Sequence, residues 1–147
     1  MLKTQLILNE SSDIMLLPHP YTHIEQIKYN DLETLQAVFN EGRCHIYATV
    51  LQTFHNEYQL QAIYRDDEIQ HVYLIHPETE HIMDSTGTYD SMNEYMNADG
   101  INRFLMVEHK PITIDTINTY IDEGTLIPSS LSSIEIAEKT MHLLKQI

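Results

Sequence analysis

The hydrophobic pattern of this chain changes from a helical to an alternating period between residues 54 and 58, and this change limits the folds open to it. From Cys44 to Phe54, apolar residues recur at helical spacing, which predicts a helix of about three turns. After Tyr58, apolar and polar residues alternate, and short turn sequences at 65–68 and 77–80 separate predicted strands at 58–64, 69–76 and 81–84. A parallel crossover needs about a dozen residues or more, so these strands must be antiparallel. The pattern predicts a helix followed by a meander.

Helices are predicted on both sides of this unit. A capping box at 30–33 begins a helix that Gly42 ends, and Ser132 begins a last helix. Other predicted elements are a strand at 4–8, a helix or loop at 90–99, a core strand at 104–107 and a helix within 111–122. The fold class is therefore α+β: a helix bearing Cys44 packs on a small antiparallel sheet, with flanking helices. We expect one domain over 1–147, with a core motif region at 41–90 and a C-terminal helical region at 111–147.

The charge balance argues against a basic binding surface. The chain has 22 acidic and 8 basic residues, a formal charge of −14, and no Lys or Arg between Arg65 and Arg103. Nine acids fall in that interval: Asp66, Asp67, Glu68, Glu78, Glu80, Asp84, Asp90, Glu94 and Asp99. They form either a solvated face or a surface that docks on a basic partner or mimics nucleic acid. We expect a protein or peptide partner with a basic surface, and no direct nucleic-acid binding.

The lack of long apolar segments and the single cysteine predict the cellular compartment of the protein. The first ten residues lack a signal peptide's apolar core, and no run approaches the roughly 20 apolar residues of a membrane span. A single cysteine cannot form an internal disulfide. These observations predict no membrane association and a cytoplasmic location, bacterial or, for a phage-encoded protein, that of the host.

Cys44, His71 and Asp84 occur in an order and setting that suggest nucleophilic chemistry. Cys44 lies at the start of the predicted helix, and the other two lie on neighbouring strands. If the loop between those strands is centred between 78 and 79, paired residue numbers sum to 157 and Tyr73 faces Asp84. His71 and Asp84 are then diagonal neighbours on one face, roughly 7–8 Å apart at the backbone. A three-residue loop would place them on opposite faces.

Each of these residue types has a role in thiol catalysis. A helix start and a nearby imidazolium favour the thiolate form of Cys44, which is the nucleophilic form. His71 would act as general base and then acid, and Asp84 would fix its tautomer and orientation. The backbone amide of Cys44 could stabilise an oxyanion, and Gln36 or Asn40 could add a side-chain donor.

The same residues resemble a known superfamily. Gly42-x-Cys44-His45-x-x-Ala48, then His71-Val72, then the 84–87 sequence Asp-Ser-Thr-Gly, are similar to motifs of the papain-like and transglutaminase-like thiol superfamily, including its small bacterial and phage members. The resemblance covers about a third of the chain. It implies a Cys44, His71, Asp84 triad acting on an amide, ester or thioester as a hydrolase, peptidase, deamidase or acyltransferase. The chain departs from many relatives in having no tryptophan, and His45 is a rival base.

Simpler roles exist for each residue taken singly. A lone cysteine near apolar residues is usually a small buried hydrophobe, His71 alone fits an ordinary edge residue, and Asp84 before Ser-Thr-Gly is typical of a turn. The alternative function is a non-catalytic acidic binding or inhibitor protein of phage or mobile-element type.

Metal and cofactor sites are not predicted. His71, His76 and His81 are five residues apart, so a strand-turn-strand cannot bring all three to one face. Prolines at 18 and 20 separate His19 and His23 from a shared helical face, which favours exposed loop histidines. Phosphate-loop and dinucleotide fingerprints are absent from the sequence.

Overall fold

The structure, a computed structural model, describes residues 31–39, 42–98 and 107–147. Its elements are α1 (Leu32–Ala37), α2 (Cys44–Phe54), β1 (Gln59–Arg65), β2 (Glu68–Ile75), β3 (Ile82–Asp84), β4 (Gly87–Tyr89), α3 (Met92–Met96), β5 (Val107–Pro111), α4 (Ile114–Asp122) and α5 (Leu131–Leu143). The predicted strand at 4–8, together with His19, His23, Asn40 and Asp99, lies outside the described residues. The predicted α+β class is confirmed.

The described strands form one antiparallel sheet in the order β4-β3-β2-β1-β5. A two-residue turn joins β1 to β2, and both of its residues, Asp66 and Asp67, have positive φ, as the tight turns that match strand twist require. Residue pairs between β2 and β3 sum to 157, because Leu74 faces Met83 and Ile75 faces Ile82. The register predicted from the sequence is therefore confirmed.

The sheet has helices on both faces. On one face, α2 packs against β1, β2 and β3, and α5 packs against α2 and α1. The main core lies in this layer and is built from fully buried side chains such as Leu35, Leu51, Leu74 and Met141. A smaller cluster of Ile63, Tyr73, Ile82 and Tyr95 covers the other face. Tyr95 comes from α3, so the segment predicted as a helix or loop at 90–99 contains a short helix that contributes a buried side chain to the core.

Several element boundaries differ from those predicted. Helix α1 ends at Ala37 and not at Gly42, because Val38 and Phe39 turn into the core and are fully buried. Helix α5 begins after Ser130, whose hydroxyl accepts from the Ser133 amide while the Ser133 hydroxyl accepts from the Ser130 amide. This capping box has serine at the position where glutamate or glutamine is usual.

One other prediction also needs correction. Phe54, expected in the apolar stripe of α2, is the last helical residue and is 49% exposed. Of the predicted strand at 104–107, residues 104–106 lie outside the described residues, and Val107 begins the edge strand β5. A β4 strand was not predicted, since three residues are too few to show a period.

Candidate active site

Cys44 is the first residue of α2, where the amide groups of the first turn have no acceptors within the helix. Cys44 is 5% exposed. The loop before it is fixed by Gly42, which has φ +75° and whose carbonyl accepts from the Ile127 amide at 3.0 Å. A Cβ at Gly42 would lie 3.1 Å from the Ile127 side chain. Glycine therefore permits both the turn and the close approach that set where the helix begins.

His71 lies near the start of β2, directly after an irregularity in the sheet. Ile63 faces His71 but Tyr64 faces Ile69, so Gln70 is an extra residue and forms a bulge. Bulges increase strand twist and redirect the neighbouring side chains. The imidazole Nε2 lies 2.9 Å from Asp84 Oδ2, and the side chain remains 18% exposed. The bulge was not predicted, because no residue in this stretch marks one.

Asp84 is the last residue of β3, and its two carboxylate oxygens have different partners. Oδ1 accepts from the Thr86 amide at 2.8 Å and from the Thr86 hydroxyl at 2.5 Å, which closes the turn into β4. Oδ2 accepts from the Tyr95 hydroxyl at 2.7 Å and contacts the His71 ring. The turn role and the histidine contact, considered as alternatives from the sequence, are therefore both present.

The three side chains also perturb each other's protonation. Burial raises the pKa of the Cys44 thiol, but the adjacent His45 and His71 rings outweigh it and bring the pKa to about 6. Burial lowers the pKa of His71, but its hydrogen bond to Asp84 and the adjacent Cys44 raise it to about 10. Burial of Asp84 is likewise outweighed by His71, which lowers the pKa of that carboxyl. These opposite shifts favour a thiolate on Cys44 and an imidazolium on His71 at neutral pH.

Gln146, which follows α5, links the cysteine helix to the strand that carries Asp84, and this role was not predicted. Its side-chain amide donates to the Asp84 carbonyl at 2.9 Å and to the Gly87 carbonyl at 3.1 Å. Its side-chain oxygen accepts from the hydroxyl of Tyr47, which lies on the cysteine helix. Gln146 is buried, so one residue connects α2 to both strands of the β3–β4 hairpin.

Gln36, a predicted oxyanion donor, also contacts this hairpin. Its side-chain amide donates to the Ser85 carbonyl at 2.8 Å, which holds α1 against the β3–β4 turn. One of its two N–H groups is therefore engaged in supporting the fold.

His45, the rival base, lies beside the thiol but in a different environment. Its Nε2 is 2.7 Å from the Ile127 carbonyl oxygen, and its ring lowers the pKa of Cys44. Nδ1 is buried without a well-formed hydrogen bond to any described residue. His71 has a carboxylate partner and His45 has a carbonyl, which distinguishes the two rings.

The acidic residues of the interval after Arg65 mostly face solvent. All of those described are exposed except Asp84. Two of them, Asp66 and Asp67, form the β1–β2 turn and a third, Glu68, begins β2, at the end of the sheet where β3 ends. Cys44, His71 and Asp84 therefore lie at an acidic end of the molecule.

Over residues 31–39, 42–98 and 107–147, no group of three or more His, Cys, Asp and Glu side chains is placed to hold a metal ion. In the same part of the chain, no helix has the length and apolar character needed to cross a membrane. No family model, curated protein or solved structure matches the chain. Its function must therefore be inferred from the geometry of its own residues.

Proposed function

We propose that this chain is a thiol enzyme of papain-like or transglutaminase-like type, a hydrolase or acyltransferase that acts on an amide, ester or thioester. The observation that carries the proposal is the position of the His71 imidazole, which is held by the Asp84 carboxylate at 2.9 Å and lies close enough to the Cys44 thiol for each group to shift the pKa of the other. A buried thiol at a helix start has no structural need for such partners, whereas a nucleophile does.

The reaction begins with attack of the Cys44 thiolate on the carbonyl carbon of the substrate. The displaced electron pair moves to the carbonyl oxygen, which the first-turn amides of α2 stabilise at the positive end of the helix dipole. His71 then donates its proton to the leaving group as the bond to that group breaks, which leaves an acyl-thioester on Cys44. Attack by water or an amine returns the proton to His71 and releases the acyl product.

Asp84 and Tyr95 act on the reaction through His71. The carboxylate holds Nε2 at 2.9 Å, which leaves the second ring nitrogen to exchange a proton with the sulfur. The Tyr95 hydroxyl donates to the same carboxylate oxygen and fixes its position. Asp84→Asn keeps an oxygen for the Thr86 amide but places an N–H donor against His71. We expect acylation to slow by about 10²–10⁴-fold with little loss of fold.

Acylation by an activated ester tests the proposal directly. The protein is incubated with p-nitrophenyl acetate, quenched in acid, and the acetyl adduct is mapped by peptide mass spectrometry. We expect a single adduct on Cys44 that Cys44→Ala abolishes and His71→Ala strongly slows. His81→Ala is the matched control, since His81 is exposed at the far end of the same hairpin. Adduct formation at equal rates in His71→Ala and the parent would refute the enzyme assignment.

The exposed acidic residues favour a basic substrate, and they are also compatible with a second function, that of a non-catalytic inhibitor. Asp66, Asp67 and Glu68 lie at the same end of the sheet as the site, where they attract a cationic peptide. A non-catalytic acidic inhibitor would use the same surface without the thiol. The Cys44→Ala variant distinguishes the enzyme from the inhibitor. Under either function it should bind a Lys-rich peptide as the parent does, with the same sensitivity to salt. If the chain is an enzyme, the parent should hydrolyse a Lys-containing peptide ester and Cys44→Ala should not.

A further inference from the structure

A chain of three polar side chains crosses the face of the sheet that α3 covers, and the mechanism above does not use it. The Gln61 side-chain amide donates to the Tyr73 hydroxyl at 3.0 Å, and the same hydroxyl lies 2.8 Å from Nδ1 of His109. These residues come from three neighbouring strands, β2, β1 and β5. The Tyr73 hydroxyl therefore connects the edge strand β5 to the middle strand of the sheet.

The partners of this hydroxyl fix the direction of each hydrogen bond. An amide N–H can only donate, so the Tyr73 oxygen accepts from Gln61 and its single hydrogen goes to His109. Tyr73 is fully buried, so water does not take that hydrogen instead. His109 Nδ1 is then an acceptor, and the ring carries its hydrogen on Nε2. All three groups are satisfied together only when His109 is neutral.

Protonation of His109 removes this acceptor. Both nitrogens of an imidazolium carry hydrogens, so the hydrogen of the Tyr73 hydroxyl loses its partner in a buried position, which is costly. Burial also lowers the pKa of His109, because it disfavours the charged ring. The hydrogen-bond pattern and the environment thus favour the same neutral form.

Among the described residues, the charged groups near His109 do not offer an imidazolium a hydrogen-bond partner. Glu108 and Lys110 flank it on β5, but alternation places them on the other face, where Lys110 lies over the Tyr64 ring and 3.7 Å from Glu108. Arg65 lies diagonal to His109 across the β1–β5 pair, and its positive charge disfavours a second cation.

Other titratable groups share this face or pack on it from β2, β3, β4 and α3: Glu68, His71, Tyr73, Asp84, Tyr89 and Tyr95. Glu68 is exposed and lies opposite Arg65, one strand further from β5. Both oxygens of the Asp84 carboxylate are already bonded within the candidate site. These acids therefore leave the Tyr73 hydroxyl as the partner of the His109 ring.

Strand β5 depends on side-chain contacts of this kind. It is an edge strand that pairs with β1 alone, and none of its five residues is fully buried. Val107 and His109 are its two half-buried residues, and its last residue, Pro111, has no N–H to donate. The Tyr73 ring that holds His109 also lies against His71 and Tyr95, at 6.5 and 4.9 Å between ring centroids.

We propose that His109 is a proton-sensitive latch: the neutral ring holds β5 to the buried Tyr73 hydroxyl, and the protonated ring releases the strand. The inference goes beyond the proposed function and does not depend on it. Because the pKa of His109 is lowered in the fold, its contribution to stability is complete above pH 6.5, the ordinary histidine pKa, and is lost as the pH falls through the folded-state value.

An NMR titration of the His109 ring tests the hydrogen bond. Tyr73→Phe keeps the aromatic ring and removes the hydroxyl. Gln61→Glu supplies a carboxylate that takes the Tyr73 hydrogen, so that the phenol oxygen accepts from His109 Nδ1–H. Gln61→Glu in the Tyr73→Phe background measures the effect of the added charge alone. Tyr89→Phe is the matched control, since this half-buried hydroxyl bonds to Thr86.

We expect the pKa of His109 to lie below 6.5 in the parent and in Tyr89→Phe, and to rise in Tyr73→Phe. Gln61→Glu should raise it more when the Tyr73 hydroxyl is present than when it is absent. A parent pKa at or above 6.5, an unchanged pKa in Tyr73→Phe, or equal effects of Gln61→Glu in the two backgrounds overturns the latch.

Release of the strand is measured by amide hydrogen exchange of β5 at pH 7 and pH 5, corrected for the intrinsic pH dependence of exchange and compared with amides of the β1–β2 pair. His109→Gln is the key variant, because its side-chain oxygen accepts from Tyr73 at either pH. We expect protection of β5 in the parent to fall by about threefold or more at pH 5, and to stay constant in His109→Gln. Equal loss of protection in both proteins, or no loss in the parent, overturns the proposal.

Discussion

Replacing His71 by alanine removes the charge partner of Cys44 and should return its thiol toward ordinary behaviour. The pKa of Cys44 in the parent is about 6. At pH 7 such a thiol is about 90% ionised, whereas one with the usual pKa of about 8.5 is about 3% ionised. The substitution should therefore reduce the thiolate fraction at neutral pH by up to about thirtyfold, the full factor applying where burial offsets the part of the shift that His45 supplies.

The rate of thiol reaction at pH 7 does not show this change well. A thiolate of higher pKa is intrinsically more nucleophilic, and a Brønsted slope of about 0.4–0.5 over a shift of about 2.5 units offsets roughly a factor of ten. The net loss at pH 7 is then only about two- to threefold. At pH 5 the thiolate fractions differ by about three-hundredfold, so the net loss is about twentyfold. The decisive measurement is thus made in acid, or on the ionisation itself.

The assay is the far-ultraviolet absorbance of the thiolate as a function of pH, with Cys44→Ala as the blank. Cys44 is the only cysteine in the chain, so the difference belongs to one group. Reaction with a small aromatic disulfide at pH 5 gives the second readout, and His81→Ala is the control. A parent midpoint near 8.5, or a midpoint that stays near 6 in His71→Ala, would refute the ion-pair account.

Three further predictions concern stability. The pKa of His71 is raised to about 10, so its contribution to stability is complete below pH 6.5, the ordinary histidine pKa, and is lost as the pH rises toward 10. The pKa of Cys44 is lowered to about 6, so its contribution is complete above the ordinary thiol pKa and is lost as the pH falls toward 6. The two pH dependences cancel near neutral pH. The unfolding free energy of the parent in urea, minus that of the Cys44→Ala, His71→Ala double variant, should therefore be constant from about pH 6.5 to 8.5 and fall toward pH 10. A steady slope of this difference across neutral pH contradicts the prediction. Gln146→Ala removes the partner of a buried tyrosine hydroxyl and two hairpin carbonyls, so unfolding free energy should fall by about 2–3 kcal/mol, and an unchanged midpoint would count against it. Gly42→Ala forces a side chain into φ +75° and against Ile127, which should cost about 1–2 kcal/mol in the same assay.

The sequence is informative wherever a short-range rule decides the structure. The helix from Cys44 follows from the spacing of its apolar residues, and the β2–β3 register follows from the length of one turn. Because side chains alternate between faces with a period of two, that register alone places His71 and Asp84 on one side of the sheet. The contact between them at 2.9 Å is consistent with the diagonal pairing predicted.

What the sequence does not predict depends on contacts between distant segments. Gln146 reaches Asp84 across 62 positions, and nothing in its local sequence indicates a buried amide. Tyr95 lies in the polar segment predicted as a helix or loop at 90–99, where Ser91 caps its short helix by accepting from the Glu94 amide, and nothing in that segment indicates that its ring is buried. The bulge at Gln70 is a property of two strands together, so neither strand shows it alone.

The two oxygens of the Asp84 carboxylate have different hydrogen-bonding roles, and this limits which substitutions the chain can tolerate as it evolves. One oxygen closes the β3–β4 turn and the other holds the histidine, so replacing the residue by alanine weakens the hairpin and the site together. Cys44 is under no such double constraint, since a small buried residue can take its place. A descendant that abandons chemistry and retains binding should therefore lose the cysteine first and keep the aspartate.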